Sequence, residues 1–214
     1  MKILFFYQSM ELGGQQTYNY NLVKRLDNRG HEVHYAYLYG NLMVDKIGSH
    51  AELLHIPITL RSKDYLFKPW KLVNIFLQLR AYCKREVIEV VISGSGIGSL
   101  ICGLVARSLS IKHFRLVGCS LIQVEPTLYK YYRLIQIDRL IDGYFGWPGV
   151  FLELEAKGVP KDKCHVIADV VDTETFYPLP KTRKKAMRQK YLIQEHEIVI
   201  GWVGRIAENM QIGN

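Results

Sequence analysis

Short apolar segments alternate with amphipathic segments over residues 2–167 of the chain. The apolar segments have the length of buried strands, and the segments between them repeat apolar residues at helical spacing. The predicted strands span 2–8, 32–39, 54–58, 87–93, 114–119, 140–145 and 163–167. The predicted helices span 17–29, 69–85, 97–110, 126–139 and 148–157. This alternation predicts an α/β fold: a Rossmann-like doubly wound parallel sheet with helices on both faces.

The composition supports a folded globular chain. Of the 214 residues, 49% are hydrophobic and 22% are charged, which excludes a disordered protein and a disulfide-stapled miniprotein. Residues 87–106 are apolar except for Glu89 and are long enough to span a bilayer. Because glycines and serines interrupt them, a strand, a glycine loop and a helix explain them better. No two cysteines have the spacing of a Cys-x-x-Cys or zinc-binding pair, and the N-terminus has no signal-peptide pattern. These two features predict a cytoplasmic protein.

The pattern changes after Phe176. The formal net charge is +8, and residues 181–190 hold six bases and no acid. They predict a solvated basic helix over 182–191, and a new strand follows over 197–203. We therefore expect a sheet domain over 1–177, a basic connector over 178–196 and the beginning of a second domain over 197–214. Residues 181–190 include no aromatic residue, and the chain has no zinc-finger or RNP pattern, so nucleic acid is not a predicted partner.

Three loops follow predicted strands, at the edge where open parallel sheets bind ligands. In the first, Gly13 and Gly14 allow a ligand close to the backbone at a helix N-terminus, although a plain tight turn explains them equally well. The second loop, 93–98, resembles a dinucleotide fingerprint, but Ser99 replaces its third glycine. The third loop is 118–120.

No catalytic or metal-binding motif is present. The sequence lacks the His-Glu-x-x-His, Gly-x-Ser-x-Gly and Gly-x-x-x-x-Gly-Lys patterns. Asp169, Asp172 and Glu174 could suggest a metal or a general base, but solvated loop acids are commoner. No metal site and no catalytic residue is therefore predicted.

Four segments, in this order, resemble the family 4 glycosyltransferases. The first is Gly13-Gly14, with a helix ending Leu26-x-x-x-Gly30-His31-Glu32-Val33. The second is Gly158-Val159-Pro160-x-x-Lys163-Cys-His-Val166-Ile167, and the third is Val171-Asp172-x-x-x-Phe176-x-Pro178. The fourth is Ile200-Gly-Trp-Val203-Gly204-Arg205-Ile206-Ala207. The resemblance covers nearly the whole chain and implies the N-terminal, acceptor-side half of a two-domain GT-B enzyme.

The resemblance implies transfer of a sugar from a nucleotide-diphosphate sugar to a glycan or lipid-linked acceptor, without a metal or other cofactor. It implies that Gly13, Gly14 and Arg205 bind the donor phosphates. The candidate acceptor-binding residues are Gln15, Gln16, Thr17, Ser93, Gly94, Ser95, Cys119 and Ser120. The donor domain would be missing beyond its first strand and loop, so the chain alone is expected to be inactive.

Three positions depart from the family pattern. Cys119-Ser120 stands where the family often has a histidine. Asp169-Val170-Val171-Asp172 replaces Asn-Gly-Val-Asp, and Met210 lies near the place of an expected lysine. An alternative is a non-enzymatic acceptor-binding subunit that pairs with a separate donor-domain chain. A nucleotide-sugar epimerase is a weaker alternative, because segment 158–178 speaks against it.

Residues 61–85 mix bases with aromatic residues. The bases are Arg61, Lys63, Lys68, Lys71, Arg80, Lys84 and Arg85, and the aromatic residues are Tyr65, Phe67, Trp70 and Phe76. This mixture suits peripheral contact with an anionic membrane. The alternative is that Leu72, Ile75, Phe76 and Leu79 form a core face and the bases face water.

Overall fold

The computed structural model describes residues 1–60, 64–94, 96–118, 136–156, 158–167, 171–173 and 175–201. The chain divides into two compact units, Met1–Val171 and Asp172–Asn214. The domain boundaries expected at 177 and 196 stay predictions.

The first unit is built on a seven-stranded parallel sheet with the order β3-β2-β1-β4-β5-β6-β7. Its strands are β1 (Lys2–Phe6), β2 (Glu32–Tyr37), β3 (Glu52–His55), β4 (Val90–Ser93), β5 (Lys112–Val117), β6 (Gly143–Gly146) and β7 (Cys164–Val166). The chain winds outward from β1 to β3 and then returns to the other side of β1 with β4. The switch in winding direction therefore lies between β1 and β4, where open α/β sheets place ligand crevices.

Helices connect the strands. They are α1 (Gly14–Asp27), α2 (Val44–Gly48), α3 (Asp64–Phe67), α4 (Pro69–Glu86), α5 (Gly96–Leu109) and α6 (Pro148–Ala156). Two 3-10 turns, Ile137–Leu140 and Lys161–Lys163, precede β6 and β7. In the second unit, α7 spans Lys181–Lys190 and has no buried residue, as the basic pattern predicts.

Alternation along the strands produces a core on each face of the sheet. In β1 and just beyond it, Ile3, Phe5 and Tyr7 join the core that includes Val23 of α1. Leu4 and Phe6 face the opposite way and join the core formed with α4 and α5. Side chains of a strand alternate between faces, so an unbroken apolar run such as 3–7 requires both faces to be covered. The predicted doubly wound sheet is confirmed.

Most predicted strands differ from the structure at one or both ends, and three of the differences have a local cause or consequence. Predicted strand 140–145 begins only at Gly143, because Leu140 belongs to a 3-10 turn. Predicted strand 54–58 ends at His55, since Pro57 has no N–H to continue the ladder. The strand predicted over 197–203 is wrong for 197–201, which form no strand. Ile198 and Ile200 there are 88% and 91% exposed, and no described strand pairs with them.

A buried polar network joins the ends of β4 and β5 to α5. The Ser93 hydroxyl lies 2.9 Å from both the Ser99 hydroxyl and His113 Nε2, and His113 Nδ1 lies 2.8 Å from the Leu140 carbonyl oxygen. A carbonyl oxygen can only accept, so Nδ1 carries the proton and Nε2 accepts from Ser93. This tautomer is assigned from the network. The four groups therefore form one directed chain of hydrogen bonds inside the unit.

The same region requires a glycine in α5. A Cβ atom at Gly103 would lie 2.6 Å from Leu140 Cβ and 3.1 Å from the Leu140 carbonyl oxygen. The absence of that atom lets α5 lie directly against the 3-10 turn that leads into β6.

Overpacking a tight core usually costs about 1–3 kcal/mol, and the gain in helix propensity on replacing glycine with alanine returns about 1 kcal/mol. We therefore expect Gly103→Ala to lower the free energy of unfolding by up to about 2 kcal/mol. Urea denaturation measures the change. Gly149→Ala is the control, because a Cβ at this α6 glycine meets nothing within 4 Å. Equal stability of the two variants would contradict the packing argument.

His113 makes stability depend on pH. Burial, opposed by the Leu140 carbonyl and aided by the nearby Arg115 charge, lowers the pKa of His113 from 6.5 to about 4. Between pH 6.5 and about pH 4, the His113 ring is therefore protonated in the unfolded chain and neutral in the folded chain. Stability is full above pH 6.5 and falls as the pH drops toward 4, by roughly 3 kcal/mol for a shift of this size.

Urea denaturation at pH 7.5, 5.5 and 4.5 tests this dependence in wild type and His113→Gln. The stability difference between the two proteins is expected to shrink toward pH 4.5, whereas an unchanged difference would contradict it. If the variant does not fold, an NMR titration of His113 in the wild type should show a neutral ring at pH 5.5.

Candidate functional site

The loop between β1 and α1 presents a helix N-terminus at the carboxyl edge of the sheet. Gly13 is extended, with φ −168° and ψ 168°, and α1 begins at Gly14. The Thr17 amide and hydroxyl both donate to the Gly13 carbonyl at 3.0 Å and fix the first turn. The first amides of a helix have no partner within it, and this first turn holds no acidic side chain. The local field therefore favours an anion.

A cavity of about 480 Å³ opens beside this helix end. Helix α1 contributes Gly14, Gln15 and Tyr18, and the ends of β5 and β6 contribute Leu116, Val117, Gly118, Gly146 and Trp147. Helix α6 begins directly after Trp147 and also has no acid in its first turn. None of these lining side chains is charged. An anionic ligand would therefore be met by backbone amides and helix dipoles.

Two glycines shape the cavity in opposite ways. A Cβ at Gly146 would lie 2.4 Å from the Val117 carbonyl oxygen, so the ends of β5 and β6 approach closely only because this residue is glycine. A Cβ at Gly14 would meet nothing within 4 Å. The space in front of Gly14 is therefore open to a ligand.

The neighbouring polar residues are divided between the cavity and the loop. Gln15 is exposed and lines the cavity. Gln16 turns toward its own loop, where its amide donates to the Ser9 carbonyl at 3.4 Å. Thr17 binds the Gly13 carbonyl, as described above. Among the three predicted acceptor contacts of this loop, the structure places Gln15 at the cavity.

Ser93 does not fit its predicted contact with the acceptor. It is fully buried, and its hydroxyl is occupied by Ser99 and His113. A serine beside a histidine is the pairing used in nucleophilic catalysis, but this pair is sealed inside the core. The position of Ser93 at the end of a strand suggests ligand contact, but its side chain stabilises the interior of the unit.

Gly94 makes room for Tyr7. A Cβ at Gly94 would lie 1.9 Å from a ring carbon of Tyr7, so the ring occupies the space that a side chain would need. The Tyr7 hydroxyl is buried and forms no hydrogen bond within the described part of the chain. Burial raises its pKa well above the usual value, against the opposing effect of the nearby Asn19 and Gln15 amides. Tyr7 is therefore a neutral phenol.

Several predicted residues lie outside the described residues: Ser95, Cys119, Ser120 and Arg205, together with Asp169, Glu174, Arg61 and Lys63. The cavity residues that the sequence pattern does not identify include Tyr18, Gly146 and Trp147. Tyr18 lies inside predicted helix 17–29, and Trp147 gives no periodic signal. Its position directly after a strand and before Pro148 could have identified Trp147, because this edge binds ligands.

No group of three or more His, Cys, Asp or Glu side chains among the described residues is arranged to hold a metal ion. No described helix is both long and apolar enough to cross a membrane.

Comparison with known proteins finds similarity in structure but not in sequence. No protein-family model matches the chain, and no curated protein matches it. The glycosyltransferase of Rickettsia africae ESF-5 is 19% identical, covers 91% of this chain and 50% of its own, and has a TM-score of 0.64. HepE of Anabaena, solved with UDP and glucose, is 13% identical. The match covers 89% of this chain and 50% of HepE, with a TM-score of 0.64.

A UDP-GlcNAc 2-epimerase from Neisseria meningitidis, bound to UDP-GlcNAc, is also similar. It is 15% identical and covers 91% of this chain and 55% of its own, with a TM-score of 0.59. The chain thus spans about half the length of these solved structures. It shares its Rossmann-like α/β fold with the matched half of these structures.

Proposed function

We propose that the chain is the acceptor-side, N-terminal half of a family 4-like GT-B glycosyltransferase. The enzyme would transfer a sugar from a nucleotide-diphosphate sugar to a glycan or lipid-linked acceptor of the cell envelope, at the cytoplasmic face of the membrane. The bond from the anomeric carbon to the phosphate oxygen breaks, and a bond from that carbon to an acceptor hydroxyl oxygen forms. The nucleoside diphosphate leaves with the electron pair, and the proton of the acceptor hydroxyl passes to the departing phosphate oxygen.

The observation that carries this proposal is the cavity at which α1 and α6 both begin. A diphosphate needs donors but no particular side chain, and the amides at Gly13 and Gly14 supply them. The Gln15 amide suits an acceptor hydroxyl, and the rings of Tyr18 and Trp147 form apolar walls that suit a sugar or a base. Gln16 and Thr17 hold the loop in place.

The remaining roles rest on the family resemblance. Arg205 would bind the diphosphate bidentately and offset the charge that develops as it leaves. Cys119, Ser120 and Ser95 stay candidate acceptor contacts. No metal or other cofactor is part of the proposal.

A specific observation also supports the alternative of a non-enzymatic, acceptor-binding subunit. Ile198, Val199 and Ile200 are 88%, 58% and 91% exposed, and an apolar segment of this kind is usually covered. A separate donor-domain chain that adds a strand there would cover it.

Gly14→Leu tests the cavity. Since a Cβ at this position meets no atom within 4 Å, we expect the larger side chain to fill the cavity while the fold stays intact. Titration calorimetry with UDP, UDP-glucose and other nucleotide sugars should show binding weakened at least about tenfold, the result of losing one or two hydrogen bonds to a charged group. Ala81→Leu, at an exposed α4 position outside the cavity lining, is the control. Equal binding by both variants would refute the assignment.

Turnover by the 214-residue chain is a separate question. A donor site built between two domains is only half present in one of them, so we expect the chain alone to bind a nucleotide diphosphate but to transfer no sugar. Mass spectrometry of a panel of nucleotide sugars incubated with candidate acceptors measures it. Measurable turnover would contradict this expectation, and turnover that appears only with a second chain would favour the subunit alternative.

A further inference from the structure

A second cavity, of about 310 Å³, lies at the amino edge of the sheet, opposite the edge with the candidate site. Its walls come from the end of α5 and from the segments that precede β5, β6 and β7. Parallel strands all begin at the same edge, so these segments meet although they are far apart in the sequence. The volume is within the range of pockets that hold small molecules.

Three basic side chains from three different segments line this cavity. Arg107 lies in the last turn of α5, Arg139 in the 3-10 turn before β6, and Lys163 directly before β7. We call these three residues and the cavity that they line the basic cleft. Both arginines are exposed, and over the described ranges neither guanidinium has a hydrogen-bond or ion-pair partner. Their donors are therefore available to a ligand.

Lys163 is already fixed beside the cavity. Its ammonium donates to the Ile141 carbonyl at 2.7 Å, and its side chain is half-buried. An ammonium carries three N–H donors, so two remain for a ligand. Because this charge is in position beforehand, a ligand loses less free energy in ordering the site.

The acid in the lining, Asp142, is engaged by other groups. One carboxylate oxygen lies 3.1 Å from Lys112 Nζ, and the other accepts from the His113 amide at 2.9 Å. Burial opposes ionisation of Asp142, but the His113 amide, Lys112 and Lys163 together lower its pKa below the usual value. Asp142 therefore stays ionised, and Lys112, which is not part of the described lining, offsets its charge. The cleft keeps a positive excess.

The dipole of α5 explains only part of this charge. A base in the last turn commonly complements the negative end of a helix, which accounts for Arg107 alone. Arg139 and Lys163 belong to other segments and need another explanation. The helix end is also capped: Ser110 has a φ of 57°, and the amides of Ser110 and Ile111 donate back into the last turn at 3.4 Å and 3.0 Å.

We propose that the basic cleft is a binding site for a phosphate group. Guanidinium groups match the geometry of phosphate oxygens, and an ammonium adds a third positive charge. Ile111, Leu140 and Ile141 form an apolar part of the same lining and suit the rest of a small molecule that carries the phosphate. The cleft shares no described residue with the candidate site, so the proposal is independent of sugar transfer.

NMR titration of the full chain at low ionic strength tests the proposal. The probes are inorganic phosphate, glycerol phosphate and uncharged glycerol. Both phosphates should shift the amide signals of Ser110, Ile141 and Lys163 saturably, and glycerol should leave them in place. Added salt should weaken the binding, because the two arginines are exposed. Tighter binding of glycerol phosphate would identify a phosphorylated small molecule as the ligand, and equal affinity would identify the free anion.

Substitutions locate the site. Arg107→Gln and Arg139→Gln should each weaken phosphate binding at least about tenfold, the result of losing hydrogen bonds to a charged group. Arg29→Gln is the matched control, and it should bind phosphate like wild type. Arg29 is also exposed, its guanidinium has no hydrogen-bond or ion-pair partner among the described residues, and it lies outside the cleft. Circular dichroism checks that each variant is folded.

Three results would overturn the proposal. Absence of saturable shifts in wild type at millimolar phosphate would show that the cleft is a solvated basic surface. Equal weakening by Arg29→Gln would show that phosphate responds to overall charge. Shifts confined to Gly13 and Gly14 would place the anion at the candidate site instead.

Discussion

The hydrogen bond between the Leu140 carbonyl and His113 Nδ1 is the constraint from which much of the first unit's geometry follows. It fixes the tautomer of a buried histidine, and the tautomer decides that Ser93 donates to Nε2. Ser93 in turn ties the end of β4 to Ser99 at the beginning of α5. Gly103 lets α5 pack closely against Leu140 and His113 beside this bond. The network therefore connects two strands, a helix and the turn that enters β6.

The candidate site benefits from this rigid frame because its walls are strand ends. The carboxyl ends of β5 and β6 lie close together through Gly146, and the network holds the segments that lead into them. A ligand contact made by backbone amides depends on such positioning, since a peptide group cannot reorient as a side chain can. The described lining has no charged side chain and two helices begin beside it, so an anion there would meet backbone amides and the positive ends of helix dipoles.

The parts of the fold that sequence predicts are those set by local periodicity. Strand β1 and helix α4 were foreseen because periods of two and 3.6 can be read within a single window. Ser93 was misassigned because its partner, His113, lies twenty residues away and no local signal links them. Residues 197–201 have the apolar composition of a strand, but a strand also needs a second strand to pair with. The local sequence does not show whether one is present. Trp147 was missed because a single aromatic residue between two elements has no period, although its place at the carboxyl edge carries the information.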